Sequence, residues 1–140
     1  MSFSVMFEIL KKKDKKKIVF VRCGHFYLAI ESDAVFLHEI LDLKCTCFKN
    51  QICKVGIPTT VLEKYLKKLD ELRYAYIVYD FDKAKRELIK KYETEGKYHY
   101  LTERNKNCLI CKGISEYHED EYLEALTKLL EKETILFYGG

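Results

Sequence analysis

Apolar positions along the chain switch between two periods, and the switches mark the elements. Val5, Met6, Ile9 and Leu10 recur at helical spacing and predict a short helix over Ser4 to Leu10. Ile18, Val19, Phe20 and Val21 form an apolar, largely β-branched run, which suits a strand buried on both faces. Gly24 breaks that run, and Phe26 to Ile30 resumes it, so the stretch reads strand, tight turn, strand. Ser32 is placed to cap a helix through Leu41, with Asp33 in its first turn and Phe36, Leu37, Ile40 and Leu41 toward a sheet. Lys44 to Phe48 and Ile52 to Val55 read as a strand pair joined at Lys49-Asn50-Gln51.

Thr60 and Glu63 have capping-box spacing before a stripe of Val61, Leu62, Tyr65, Leu66, Leu69 and Leu72. Tyr74 to Tyr79 is a strong strand pattern. Asp82 is positioned to cap a further helix with Ala84, Leu88 and Tyr92 on one face. Residues 93–118 are irregular. A C-terminal helix is expected over 119–133, with acids at its start, Lys128 and Lys132 near its end, and a stripe of Tyr122, Leu123, Leu126, Leu129 and Leu130. Thr134 to Tyr138 reads as a last strand or an apolar tail. Strands alternating with helices, with hairpins and crossovers both present, predict an α/β fold: a mixed β-sheet flanked by helices. One domain over residues 1–140 is the expectation for 140 residues.

Composition sharpens this in three respects. One Pro and six Gly argue against a long linker. No apolar run reaches the roughly 18 residues of a membrane span, and Met1 to Leu10 lacks the basic start of a signal peptide, so a cytoplasmic protein without a membrane role is expected. Charge is uneven: residues 1–70 hold 13 Lys and Arg against 8 Asp and Glu, while residues 71–140 hold 12 against 14. A positive face is therefore expected in the first half.

Three stretches carry candidate chemistry. The turn at Gly24 is bordered by Arg22, His25, Phe26 and Tyr27, which can stack on a base or bond to a phosphate. Upstream, Lys11, Lys12, Lys13, Lys15, Lys16 and Lys17 put six ammonium groups into seven residues, a pattern suited to phosphates or to a solvated loop. Cys108 and Cys111 have the spacing of half a zinc site, with Cys45, Cys47, Cys53, His99 or His118 as sources of further ligands. The competing reading makes Cys23, Cys45, Cys47 and Cys53 small core hydrophobes. No nucleophile–base pair stands out, and of the carboxylates Asp80 and Asp82, which could bind a cation, Asp82 is read as a helix cap, so an enzyme is not expected.

The same residues carry a resemblance. Arg22-Cys23-Gly24-His25-Phe26-Tyr27 resembles the R-x-G-x-F-Y segment of the N-terminal domain of MutS-type DNA mismatch-repair proteins. Glu39-Ile40-Leu41-Asp42-Leu43 resembles that family's E-L-L-D-I, and Val55-Gly56-Ile57-Pro58 its A-G-V-P. Leu62 to Leu69 resembles its V-E-N-Y-L-A-K-L, and the likeness runs over about residues 4 to 82. The resemblance implies that Phe26 stacks on a base from the minor groove. Leu28 stands where the family has a Glu that bonds to the mispaired base. The chain contains no G-x-x-x-x-G-K-[ST], so the resemblance covers the recognition module without the ATPase.

Two functions follow as expectations. The first is a nucleic-acid-binding module, with duplex DNA as partner, Phe26 as wedge, and Arg22 and the lysine run on phosphates. The second is a protein-interaction module of a repair or mobile-element system, with a partner docked on the C-terminal helix. An exposed Phe26 favours the first and a buried one the second.

Overall fold

The apolar run Ile18–Cys23 is β1, the strand on which the sheet is built, and its first four residues are buried. The computed structural model describes residues 3–47, 52–99 and 124–132. In chain order the elements are α1 (Phe3–Lys13), β1, β2 (Phe26–Ile30), α2 (Glu31–Leu41), β3 (Cys45–Cys47), β4 (Cys53–Pro58), a short 3-10 turn (Thr59–Val61), α3 (Leu62–Glu71), β5 (Tyr76–Asp82) and β6 (Glu87–Glu93). Residues 124–132 add a helix, α4. The six strands lie in the order β3-β4-β2-β1-β5-β6. β1 is antiparallel to β2 and parallel to β5, and the remaining pairs are antiparallel. The fold is the expected α/β arrangement with a mixed sheet.

Alternation along the strands fills two cores, one on each face of the sheet. Phe20, Tyr27, Ala29, Ile57 and Val78 pack with Phe36 and Leu37 of α2 and Leu62, Leu66 and Leu69 of α3. On the other face Val19, Val21, Leu28, Ile30, Ile77 and Tyr79 pack with Met6, Phe7 and Leu10 of α1 and Ala125, Leu126 and Leu129 of α4. Leu126 and Leu129 of the C-terminal helix are thus buried on the chain's own sheet with Leu130 packed partly against it, while Tyr122 and Leu123 of the expected stripe lie outside the described residues.

The structure corrects several local expectations. The first helix continues through Lys13, so Lys11, Lys12 and Lys13 form its last turn rather than a loop. β2 passes into α2 with no linker; the cap position is Ile30, which has no acceptor, and Glu31 takes a φ of 56° to make the corner. Ser32 therefore lies inside the helix. α3 likewise has no side-chain cap, because the 3-10 turn occupies Thr59–Val61. Ile40, Val61 and Leu72 are exposed, at the margins of their stripes.

Asp82 does not open a helix. It ends β5, and its Oδ1 accepts the backbone N–H groups of Ala84 and Lys85 at 3.0 and 3.1 Å, an Asx turn leading into β6. β6 is an edge strand in which only Leu88 is buried. With one face of the strand in water, its charged residues mimic the polar face of a helix. Among the described residues no helix is long and apolar enough to cross a membrane.

Candidate nucleic-acid interface

Gly24 and His25 make the two-residue turn between β1 and β2, and Gly24 has the positive φ, 62°, that such a turn favours. The turn is pinned from the side: the Thr59 N–H donates to the His25 carbonyl at 2.9 Å. His25 is exposed. Phe26 follows, 47% exposed, across from Cys23 on β1 and Pro58 on β4. Its ring lies beside Gly56, where an added Cβ would come 3.4 Å from Phe26 Cδ1. A bare backbone there lets an aromatic ring lie flat on the sheet edge while its outer face stays open.

The neighbours of Phe26 divide between core and surface. Tyr27, expected to contact nucleic acid, has a fully buried ring and is a core residue, because strand alternation turns it to the face opposite Phe26. Only its hydroxyl reaches the edge, where it donates to Asp80 Oδ2 at 3.1 Å and accepts from Lys91 Nζ at 3.2 Å. Leu28 is buried against Gly56 and offers nothing polar. Arg22, opposite Tyr27, donates to Asp80 Oδ1 at 3.3 Å and to the Gly24 carbonyl at 3.2 Å.

Lys91 completes this group by way of a bulge. Val78 is opposite Tyr92 and Tyr79 is opposite Lys90, which leaves Lys91 as the extra residue of the edge strand. A bulge re-aims a side chain, and here it brings Lys91 to the Tyr27 hydroxyl and within 4.0 Å of Asp80. The hydrogen bond with Tyr27 holds the Lys91 ammonium above its usual pKa, aided by the Asp80 charge. One carboxylate thus positions two cations beside the turn.

The lysine run lies elsewhere. It precedes Ile18, whereas the turn follows Cys23, so in the chain the two flank opposite ends of β1, about 20 Å of strand at roughly 3.3 Å per residue, although the Lys13 ammonium reaches back to 5.6 Å from the Tyr79 ring. Half of its charges are also engaged within the chain. Lys11 binds Asp33 at 2.8 Å, Lys13 binds Asp14 at 3.2 Å, and Lys17 binds Glu93 at 2.7 Å and Glu95 at 2.9 Å. Lys12, Lys15 and Lys16 are exposed.

The basic residues that do stand near the turn come from the β5–β6 hairpin. β1 and β5 are parallel with Val21 level with Tyr79, so the β1–β2 turn and the β5–β6 tip share one end of the sheet. The tip is Lys83, Ala84, Lys85 and Arg86, all exposed. α4 braces it: Arg86 pairs with Glu124 at 3.1 Å, Lys128 donates to the Lys85 carbonyl at 2.6 Å, and Lys132 pairs with Glu87 at 3.0 Å. This turn is hard to read from residue types, because its positive-φ position is held by Arg86, with no Gly or Asn to mark it.

At the lysine end, Asp33 is buried and holds four groups: Lys11, the Val19 N–H at 3.1 Å, the Tyr98 hydroxyl at 3.2 Å and His99 Nε2 at 2.6 Å. Burial pulls the Lys11 ammonium below its usual pKa against the opposing attraction of Asp33. His99 stacks on Phe36 at 4.3 Å between ring centroids. Cys45, Cys47 and Cys53 are buried thiols in the core under α2. Cys108 and Cys111, with His118, lie outside the described residues. Among the described residues no three His, Cys, Asp or Glu side chains gather as a metal would require.

An exposed aromatic turn and a basic hairpin lie at one end of the mixed six-stranded sheet of this α/β domain. The family model for MutS domain I matches residues 2–95, and the chain belongs to that family. No curated protein matches the chain.

Proposed function

We propose that this chain is a nucleic-acid-binding module that engages duplex DNA through the β1–β2 turn and performs no catalysis of its own. The observation that carries this reading is Phe26: a large aromatic, 47% exposed, beside a turn pinned by the Thr59 N–H, in a MutS domain I chain. An apolar ring presented this way can enter a base step from the minor groove, at an unstacking cost of a few kcal/mol. Leu28 is buried and apolar where a hydrogen-bonding acid would be needed to read a mispaired base. The module therefore senses how easily a step opens rather than which bases are mispaired. Membership of a mismatch-repair family supplies the setting, DNA repair, and the burial of Leu126 and Leu129 on the sheet favours this reading over a docking role for α4.

The test is Phe26→Ala, measured for affinity and melting temperature together on paired, G·T-mispaired and single-stranded oligonucleotides. Affinity for duplex should fall by about 1–3 kcal/mol, the cost of one lost base–aromatic stack, with the melting temperature nearly unchanged. The G·T mispair should be preferred over paired duplex by under about 2 kcal/mol. Absence of duplex binding at low salt, or an affinity indifferent to Phe26, would overturn the reading.

A further inference from the structure

The β5–β6 hairpin lies outside the motifs that the sequence suggested for DNA contact, yet its basic tip shares one end of the sheet with the Phe26 turn. We propose that its tip, Lys83 and Lys85, together with Arg22 and Lys91, is the phosphodiester-binding arm of this domain, in place of the lysine run. The proposal rests on the duplex-binding reading above and assigns its electrostatics.

Four observations support it. The parallel β1–β5 register places the tip and the Phe26 turn at one end of the sheet, and the lysine run at the other. The tip is held in shape, by the Asp82 turn from within and by α4 from the side, so its ammonium groups are presented from a fixed backbone. The acids around it are already engaged. Asp80 is shared by Arg22, Lys91 and Tyr27; Asp82 holds backbone N–H groups; Glu87 pairs with Lys132 and Glu124 with Arg86. Lys83 and Lys85 are exposed and form no salt bridge among the described residues. Finally, the bulge at Lys91 turns its ammonium from the sheet edge toward Arg22 and Asp80, two cations around one anion, which leaves net positive charge beside the turn. Phosphates on either side of a base step opened by Phe26 would meet these groups first.

The experiment is a salt titration of a short labelled DNA duplex with three proteins: the parent, Lys83→Gln/Lys85→Gln, and Lys12→Gln/Lys15→Gln/Lys16→Gln. All five positions are exposed, and a melt of each variant checks folding. Loss of two phosphate contacts should flatten the slope of log K against log salt by about 1.8. The hairpin variant should then lose about 12-fold less affinity than the parent between 50 and 200 mM salt. The lysine-run variant should keep the parent slope. A flattened slope in the lysine-run variant with an unchanged slope in the hairpin variant would overturn the assignment while leaving duplex binding intact. No duplex binding by the parent would overturn both.

Discussion

Across the β2–β4 pair, the Phe26 ring lies against the open side of Gly56. A methyl group at 56 would stand 3.4 Å from Phe26 Cδ1 and 3.1 Å from Leu28 Cδ2. Both contacts are with side chains, so Gly56→Ala should be absorbed by small shifts. Gly56→Val adds two more carbons where the ring lies. It should destabilise the fold by about 1–3 kcal/mol through overpacking. It should also displace Phe26 and weaken duplex binding toward the level of Phe26→Ala. Binding and melting curves on the two variants check this; full affinity in Gly56→Val would show that the ring's seat is irrelevant to recognition.

Alkaline pH should destabilise the protein through two buried phenols. Burial, and then the hydrogen bond to Asp70, push the Tyr76 pKa up; burial and the Asp33 charge push Tyr98 up. A raised folded pKa means the unfolded chain loses these protons first. The stabilisation is complete below the ordinary tyrosine value of about 10 and is lost as pH rises above it. Lys11 acts with the opposite sign at lower pH: burial lowers its pKa, so its contribution improves as pH rises toward about 10.5. Urea melts between about pH 9 and 11.5 should show stability falling above 10. Tyr76→Phe/Tyr98→Phe should make that fall shallower, and an unaltered slope would refute the assignment.

Because Leu126 is 2% exposed within the core formed with α1, Leu126→Ala should cost about 2–5 kcal/mol. Ile89 on the edge strand is 44% exposed, and Ile89→Ala should change stability by no more than about 0.5 kcal/mol. Denaturant unfolding of the two variants provides the comparison. A silent Leu126→Ala would return the helix to the role of a partner-docking element.

Strands with both faces buried were the most readable parts of this chain. Ile18–Val21 and Tyr76–Tyr79 advertise themselves by continuous apolar runs, and Gly24 marks the turn between β1 and β2. The exposure of Phe26 was also readable, since a residue next to a tight turn at a sheet end has few neighbours to cover it. β6 was not, because one buried residue, Leu88, cannot set a period, and the bulge at Lys91 breaks what alternation there is. Misreading β6 as a helix hid the basic tip. The lysine run misled for another reason: Asp33, Glu93 and Glu95, the partners of Lys11 and Lys17, are remote in sequence, so local spacing could not show these two charges as paired; Lys13 pairs with the adjacent Asp14. Tyr27 shows the limit of composition near a turn, since alternation alone buries it while its neighbour stays open.

The parallel pairing of Ile18 with Tyr76 also has a kinetic consequence. β1, β2, α2, β3 and β4 associate through neighbours in the chain, whereas β5 must close a long loop to reach β1, and closures of that kind are slow. The β1–β2 turn is thus local in the chain, whereas its nearness to the β5–β6 tip depends on that closure. On the duplex-binding reading, a chain in which β5 has not paired with β1 would carry Phe26 without Lys83 and Lys85 beside it and should hold DNA less tightly than the folded domain.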